Sequence, residues 1–315
     1  MKSNLVIDRP GMCSTIQDNG RYLSASTHSF CKSGWLSPTL ARLGNVLVGN
    51  TPDIEAIEFM FVGPSFYVTD GPVKISVVGD CDLTINNQQT QTFHSYVLHK
   101  GDCVDIKKTT SIGYVCVQGG ININKIYGSK CTNVRYQLGS TDRPFIKGDS
   151  IPVSRSWSTT THSVLNVPNF KNNKENIINV MSGAHWDLIK NKQDFFNKTY
   201  TISVNKTRAV IIFDTDFTTN TPRVSSLGKG PGTIVLMPDG KHAIHINDSD
   251  ICSGYPQLAH VILSDLEKLI QLPMNSKIKF NLVDLKTARI QGNTYTEMTR
   301  SILSKTNLKE NQCKA

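Results

Sequence analysis

Residues 96–118 read YVLHKGDCVDIKKTTSIGYVCVQ. Three short runs rich in valine, isoleucine and aromatic residues stand out in it: YVLH (96–99), CVDI (103–106) and YVCVQ (114–118). β-branched and aromatic side chains pack well on a pleated surface, and Gly and Asp punctuate them, so each run reads as a short strand. The pattern extends outward in both directions, through VKISVV (73–78) before it and YTISV (200–204), AVIIF (209–213), TIVLM (233–237), HAIHI (242–246) and KIKFNLV (277–283) after it. Short strands at close spacing, bounded by Gly, Pro, Asn or Asp, predict a mainly β chain built as a sandwich or barrel. The turn Lys100-Gly101-Asp102 before CVDI recurs as Lys147-Gly148-Asp149 before SIPV, a similar strand-entry device in two places.

Helices are expected to be few and short. In SPTLARLGNVLVGN, Ser37 suits an N-cap and Pro38 the first helical position; Leu40, Leu43, Leu47 and Val48 form an apolar stripe that Gly49 and Asn50 terminate. Ser264 and Glu267 have the spacing of a capping box, and residues 185–198 predict a third helix burying Trp186, Ile189 and Phe196. A chain of 315 residues exceeds the usual size of a single core, so two domains are expected. The polar, asparagine-rich stretch TTTHSVLNVPNFKNNKENI (159–177) is the natural boundary. The expected organisation is a β-rich domain over 1–175, a second over 176–291 and a mobile tail over 292–315.

Composition narrows the function. The formal net charge of +9 would favour nucleic acid if it were clustered, but the longest basic run is Lys107-Lys108, and no basic and aromatic stripe accompanies it. No stretch approaches the roughly 20 apolar residues of a membrane span. The start, MKSNLVIDRPG, has too short an apolar run for a signal peptide, so neither membrane nor nucleic acid is an expected partner and the expected location is cytoplasmic. The eight cysteines form no CxxC and no zinc spacing with histidine, and read as free thiols. His242 and His245, three apart in a strand, point to opposite faces and cannot share a metal, so no metal is expected. LGKGPGT (227–233) precedes a strand where a phosphate loop would precede a helix, and reads as a β-turn. Cys252 has no identifiable histidine partner and reads as an unreactive thiol.

Near the start, RPGMCSTIQDNGR (9–21) holds Thr15, Gln17, Asp18 and Arg21 between the turns Pro10-Gly11 and Asn19-Gly20. Such a loop either satisfies itself or presents polar groups to a ligand or a neighbouring loop. The segment resembles the PG-x-x-T-T-x-Q-D-x-G-R signature of the biotin-dependent carboxyltransferase and allophanate hydrolase subunit 2 family, which includes the C subunit of 5-oxoprolinase. Further matches follow in the family's order: SGWLSPTLARLGNVLVGN (33–50), AIEFMFVGP (56–64), QGGI (118–121), YGSKCT (127–132), Arg143 with Gly148-Asp149, SGAH (182–185), PGTIVLMPDG (231–240), SGYP (253–256) and LSDLEKLIQL (263–272).

The resemblance, which covers roughly residues 4–288, implies two β-barrel-like domains, the second similar to cyclophilin, with a polar cleft. It implies one component of an ATP-dependent hydrolase that opens 5-oxo-L-proline to glutamate, or a related carboxyltransferase acting on a small cyclic amide or urea-like substrate, inactive as an isolated chain. The implied partners are an allophanate hydrolase subunit 1-type chain, like the B subunit of 5-oxoprolinase, and a chain like the A subunit of that enzyme. ATP would enter at the level of the complex. Biotin would arrive on another protein, since this chain has no Ala-Met-Lys-Met sequence. Asp18, Glu58 and Arg208 are the implied catalytic candidates, as proton-transfer or orienting carboxylates and an anion stabiliser; Thr15, Gln17, Arg21, Tyr255 and Gln271 are the implied substrate-binding set.

The sequence departs from the family pattern at several polar positions. Ser37, Ile212, Leu227, Val235 and Ile251 stand where the pattern has aspartate, arginine, glutamate, glutamine and threonine. A site that loses hydrogen-bonding partners loses roughly 1–3 kcal/mol for each buried group left unpaired. The same residues therefore also support a different class of function, a catalytically degenerate family member kept as a regulatory or interaction subunit.

Overall fold

The computed structural model describes residues 2–21, 30–158, 160–163, 176–189, 192–214, 222–304 and 309–311. The chain divides into two compact units. The first comprises residues 1–27, 32–168 and 299–315, and the second residues 28–31 and 169–298.

The first unit opens with β1 (Lys2–Arg9) and β2 (Cys13–Gln17), followed by helix α1 (Pro38–Val48), β3 (Ala56–Val62), β4 (Ser65–Val68), β5 (Val73–Val78), β6 (Cys81–Ile85), β7 (Gln88–Thr90) and β8 (His94–Leu98). It continues with β9 (Cys103–Val117), β10 (Ser150–Ser154) and β11 (Thr161–Ser163). Two of the runs read from the sequence as separate strands, CVDI and YVCVQ, are the two ends of β9. The polar stretch between them does not break the strand but changes its neighbours. The first half of β9 pairs with β4 and β6, the second half with β3 and β5. One long strand serving two sets of neighbours curls the sheet into a half-barrel. Its concave face is filled by Leu5, Ile7, Phe59, Phe66, Ile75, Val77, Val104, Ile106, Val115 and Val153, all essentially inaccessible.

Helix α1 covers another face of this sheet. Ser76 Oγ on β5 donates to Gly44 O at 2.7 Å, and a Cβ at Gly44 would lie 2.6 Å from Cys116 Sγ, so the helix approaches at a distance only glycine permits. Gly49 ends α1 in the left-handed region with φ +84, as the sequence predicts. Ser37 stands at the N-cap position but makes no side-chain cap bond; its N–H instead donates to Tyr114 Oη at 2.8 Å.

In the second unit, β12 (Asn176–Ser182) leads to a 3₁₀ turn (Trp186–Leu188), α2 (Lys192–Asn197), β13 (Tyr200–Thr201), β14 (Val210–Ile212), β15 (Leu227–Gly228), β16 (Thr233–Leu236) and β17 (His242–His245). Next come β18 (Cys252–Ser253), β19 (Gln257–Val261), α3 (Leu263–Gln271), β20 (Lys277–Leu282) and α4 (Leu285–Ser304), whose last residues, from 299, belong to the first unit; so does β21 (Lys309–Asn311), which pairs with β11. The strand order β13-β20-β12-β19-β16-β17-β14 is antiparallel except for the parallel pair β12–β20. Its two edges meet: Ile202 bridges Phe213, Ser203 N–H donates to Ile212 O at 2.8 Å and Asp214 N–H to Thr201 O at 2.9 Å. The sheet is thereby a closed barrel with no free edge. Its interior holds an aromatic cluster of Phe195, Tyr200, Phe213, Phe280 and the ring of His242.

Three helix readings are revised. The third expected helix splits into the 3₁₀ turn and α2, since Ile189 turns extended. The capping box does not form: α3 starts at Leu263, one residue before Ser264, and Glu267 accepts instead from Tyr295 Oη of α4. Residues 292–304, read as the start of a tail, are helical; the overlooked signal was Asp284, whose Oδ1 accepts the Thr287 N–H at 2.7 Å at the head of α4.

Candidate functional site

In the first unit, RPGMCSTIQDNGR becomes β2 and a tight polar turn. Asp18 Oδ1 accepts from the Gly20 N–H at 2.8 Å and from Ser129 Oγ at 2.6 Å, while Oδ2 accepts from the Lys130 N–H at 2.7 Å. The carboxylate thus both closes its own turn and anchors a loop more than a hundred residues away. Gly20 has φ +91, and a Cβ there would meet Lys32 O at 2.8 Å, so the Asn-Gly signal in the sequence corresponds to a real backbone requirement.

Gln17 is wholly buried. Its Nε2 donates to Thr15 Oγ1 and to Thr132 O, each at 2.9 Å, leaving Oε1 without a hydrogen-bond partner. Arg21 is 1 % exposed, and its guanidinium donates to Ile126 O at 3.3 Å, to Cys131 Sγ at 2.8 Å and to Cys131 O. Carbonyl and sulfur acceptors thus satisfy a cation that could not otherwise be buried. Thr15 lies opposite Glu58 in the β2–β3 ladder, and Glu58 lies opposite Tyr114 in the β3–β9 ladder, so the three side chains share one face. Glu58 Oε2 accepts from the Leu36 N–H at 2.9 Å and from Tyr114 Oη at 2.6 Å.

Five of the eight candidates are therefore gathered in the first unit, around residues 33–37 and 129–133. Four of them, Thr15, Gln17, Arg21 and Glu58, are at most 1 % exposed. What this arrangement does is hold three loops in a fixed relation.

The remaining three lie in the second unit. Arg208 and Asp248, with side chains each 6 % exposed, form a two-point ion pair, Nε to Oδ2 at 2.8 Å and Nη2 to Oδ1 at 3.2 Å. Gln271 ends α3 with Nε2 buried and unpartnered. Beside it, Lys206 Nζ donates to Ile270 O and to Leu272 O at 2.8 Å, closing the helix C-terminus; burial brings its pKa down to about 7. Tyr255 is exposed near the two-stranded ribbon β15–β18, where Leu227 opposes Ser253 and Gly228 opposes Cys252. Two of the apolar replacements, Leu227 and Ile251, are exposed in this region at 38 % and 39 %, whereas Val235 is fully buried in β16.

Polar residues that sequence reasoning passed over meet on the outer face of the barrel. Ile211, Ile244, Ile234 and Ala259 are registered in one row on the strand face that His242 turns to the aromatic interior, so the adjacent positions lie on the opposite face. His245 on β17, Thr233 on β16 and His260 on β19 occupy neighbouring outward positions; the Gly232 N–H donates to His245 O at 2.8 Å and Thr233 is registered with His260. Lys229 Nζ lies 3.1 Å from Nε2 and 3.2 Å from Nδ1 of His245. Burial first, then this ammonium, brings the His245 pKa down to about 4. His242 points the other way, into the aromatic interior, as its spacing from His245 predicts. Among the described residues, no group of three or more His, Cys, Asp or Glu has the geometry of a metal site. The missed signal was polar residues at the outward positions of three adjacent strands.

The glycine-rich loop feeding this row uses its own amides. The N–H groups of Lys229, Gly230, Gly232 and Thr233 go to Ile251 O, Thr233 Oγ1, His245 O and Gly230 O. That is a turn leading into β16 and not a phosphate cradle.

Comparison with known proteins agrees with this architecture. The profile of the family described as carboxyltransferase domain, subdomain A and B, matches residues 28–282. The chain is 25 % identical over 306 residues to the 5-oxoprolinase C subunit of Haemophilus influenzae, covering 93 % of this chain and 96 % of that protein. It is 25 % identical over 293 residues to the 5-oxoprolinase C subunit of Escherichia coli K12, covering 90 % and 93 %. In fold it is similar to the Kluyveromyces lactis urea carboxylase, with a TM-score of 0.81 at 21 % identity over 95 % of this chain; it spans 29 % of that longer chain.

Proposed function

The chain belongs to the carboxyltransferase domain family of subdomains A and B, and on that premise we propose that it is a component of a multi-subunit enzyme, equivalent to the C subunit of 5-oxoprolinase. The proposed reaction is the ATP-dependent opening of 5-oxo-L-proline to glutamate, with partners like the B and A subunits of that enzyme, the former of the allophanate hydrolase subunit 1 type, in the cytoplasm. The observation that carries this reading is the end-to-end match to the Haemophilus influenzae protein, which leaves little of either chain unaccounted for. ATP is required at the level of the complex, and no step is assigned to it on this chain, whose one glycine-rich candidate loop is internally bonded.

In this reading Asp18 and Glu58 act by holding the 129–130 and 36–37 segments in place, and Arg208 by fixing Asp248. Thr15, Gln17 and Arg21 support the loops of the first unit, and Tyr255 and Gln271 are proposed substrate-binding residues within the second. Gln17 Oε1 and Gln271 Nε2, an acceptor and a donor with no partner, are the polar atoms best placed to need one.

The test is glutamate formation from 5-oxo-L-proline and ATP by this chain mixed with its candidate partner chains, beside the same mixture without it. Activity that depends on this chain supports the reading. The exposed hydrocarbon at Leu227 and Ile251 favours a second reading, a degenerate family member that binds its partner without catalysing. A stable complex on a sizing column with no glutamate formed would select that one.

A further inference from the structure

The outer row of the second unit contains an assembly whose proton positions follow from hydrogen-bond geometry. Thr233 Oγ1 lies 2.8 Å from Gly230 O, 3.2 Å from the Gly230 N–H nitrogen and 3.2 Å from His260 Nδ1. A hydroxyl has one proton and two lone pairs. The shortest contact takes the proton to Gly230 O, and the Gly230 N–H occupies one lone pair. The second lone pair then faces His260 Nδ1, which must be the protonated nitrogen. That leaves His260 Nε2 as an unprotonated lone pair on a half-buried ring.

The surroundings keep the ring neutral. Burial lowers the His260 pKa below its ordinary value. The titratable and charged groups on the elements packed about it are His245 on β17, Lys229 and Asp250 from the loops flanking the ribbon, and His185 beside β19, whose Nδ1 accepts the Gln257 N–H at 3.2 Å. Its neighbour on β12 is the uncharged Met181. Across Thr233, the Lys229 ammonium sits against His245. With strands roughly 4.8 Å apart, the two histidines are separated by about 9–10 Å at the backbone, with Thr233 as a low floor between them.

We propose that this face is a ligand site in which His260 Nε2 accepts the N–H of a small amide, lactam or ureido compound while Lys229 faces its anionic oxygen, with Thr233 as the residue that positions His260. On full proton transfer the N–H bond breaks, its electron pair stays on the ligand nitrogen and the proton forms His260 Nε2–H. The site supplies both a base and a cation without using any of the eight catalytic and substrate-binding candidates implied by the family resemblance. Its ligand class rests on the function proposed above; the tautomer of His260 does not.

The experiment is a two-bond ¹H–¹⁵N correlation spectrum of the full chain labelled at histidine, recorded at neutral pH, with the His260 signals identified by their loss in His260→Gln. The wild type is expected to show protonated Nδ1 and bare Nε2. Thr233→Val is expected to shift that ring toward the Nε2–H tautomer. Added 5-oxo-L-proline should move the His260 and His245 signals, and His260→Gln should weaken its binding at least tenfold, about 1.4 kcal/mol.

An Nε2–H tautomer in the wild type, a tautomer indifferent to Thr233→Val, or histidine signals unmoved by 5-oxo-L-proline would each overturn the proposal. If His260→Gln fails to fold, through-bond correlation of the ring to the assigned backbone of His260 identifies its signals, and Thr233→Val still gives its answer. Binding at His260 with no glutamate formed by the complex would reject the hydrolase reading and leave this site standing.

Discussion

Arg208 and Asp248 face each other through two hydrogen bonds, of 2.8 and 3.2 Å, inside the second unit, and each side chain is 6 % exposed. Two buried opposite charges satisfy one another, so each becomes a liability when the other is removed. Arg208→Ala and Asp248→Ala are each expected to cost about 3–5 kcal/mol, whereas Arg208→Met with Asp248→Leu recovers much of that. Urea unfolding of the single and double variants measures the coupling. Additive losses would show that the pair is not a unit.

Glu58 is expected to matter for folding before it matters for chemistry. Its Oε2 is the acceptor for the Leu36 N–H and for Tyr114 Oη in a region closed to water. Glu58→Ala should cost roughly 1–3 kcal/mol for each donor left unsatisfied, and Tyr114→Phe about 1 kcal/mol. If Glu58→Ala unfolds at the wild-type midpoint, the loop-holding role is wrong.

His242 should impose a pH dependence on stability. Burial, and secondarily Lys198, brings its pKa from 6.5 down to about 3 in the folded barrel. The unfolded chain therefore binds the proton first as pH falls, and the neutral ring's contribution, complete above 6.5, is lost between 6.5 and 3. The loss approaches about 1.4 kcal/mol per pH unit within that window. His242→Phe keeps an aromatic ring against Phe195 and Tyr200, and its unfolding midpoint should fall less steeply with acid than the wild type's. Parallel curves for the two proteins would remove His242 as the cause.

Leu227 and Ile251 are more than a third exposed, so polar replacements there have little folding cost. If the hydrolase reading holds, Leu227→Glu with Ile251→Thr should change turnover of 5-oxo-L-proline by about tenfold or more in the assembled enzyme, while the unfolding midpoint stays put. Unchanged kinetics would place the ribbon outside the substrate region.

Thiol reactivity should follow exposure. Cys103 and Cys252 are exposed, and Cys31, Cys116 and Cys131 are buried, with burial raising the Cys116 thiol far above its ordinary pKa. Mass mapping after brief treatment of the folded protein with a thiol reagent should find Cys103 and Cys252 modified first. Early modification of Cys116 would mean that α1 lifts from the sheet.

Much of this protein was legible in its residues because the determinants are local. β-branched runs, an Asn-Gly turn and a Pro-to-Gly helix frame act over a few positions, so β5, the polar turn at Asp18 and α1 emerge where the sequence places them. The order of short motifs likewise identified the family, because each motif is a contiguous string. Other features depended on neighbours that no local window contains. CVDI and YVCVQ merge into one strand because β3, β4, β5 and β6 supply partners along its whole length. Ser37, Ser264 and Glu267 have capping chemistry, yet tertiary donors and acceptors displace the local bonds. The counterion of Arg208 lies forty positions away and is identified only when Asp248 is brought beside it, and His245, Thr233 and His260 become one row only when three strands are registered. Local conformation is set by short-range sterics and hydrogen bonding, and is written in the sequence; the pairing of charges and the convergence of side chains from distant strands arise only when the barrel closes.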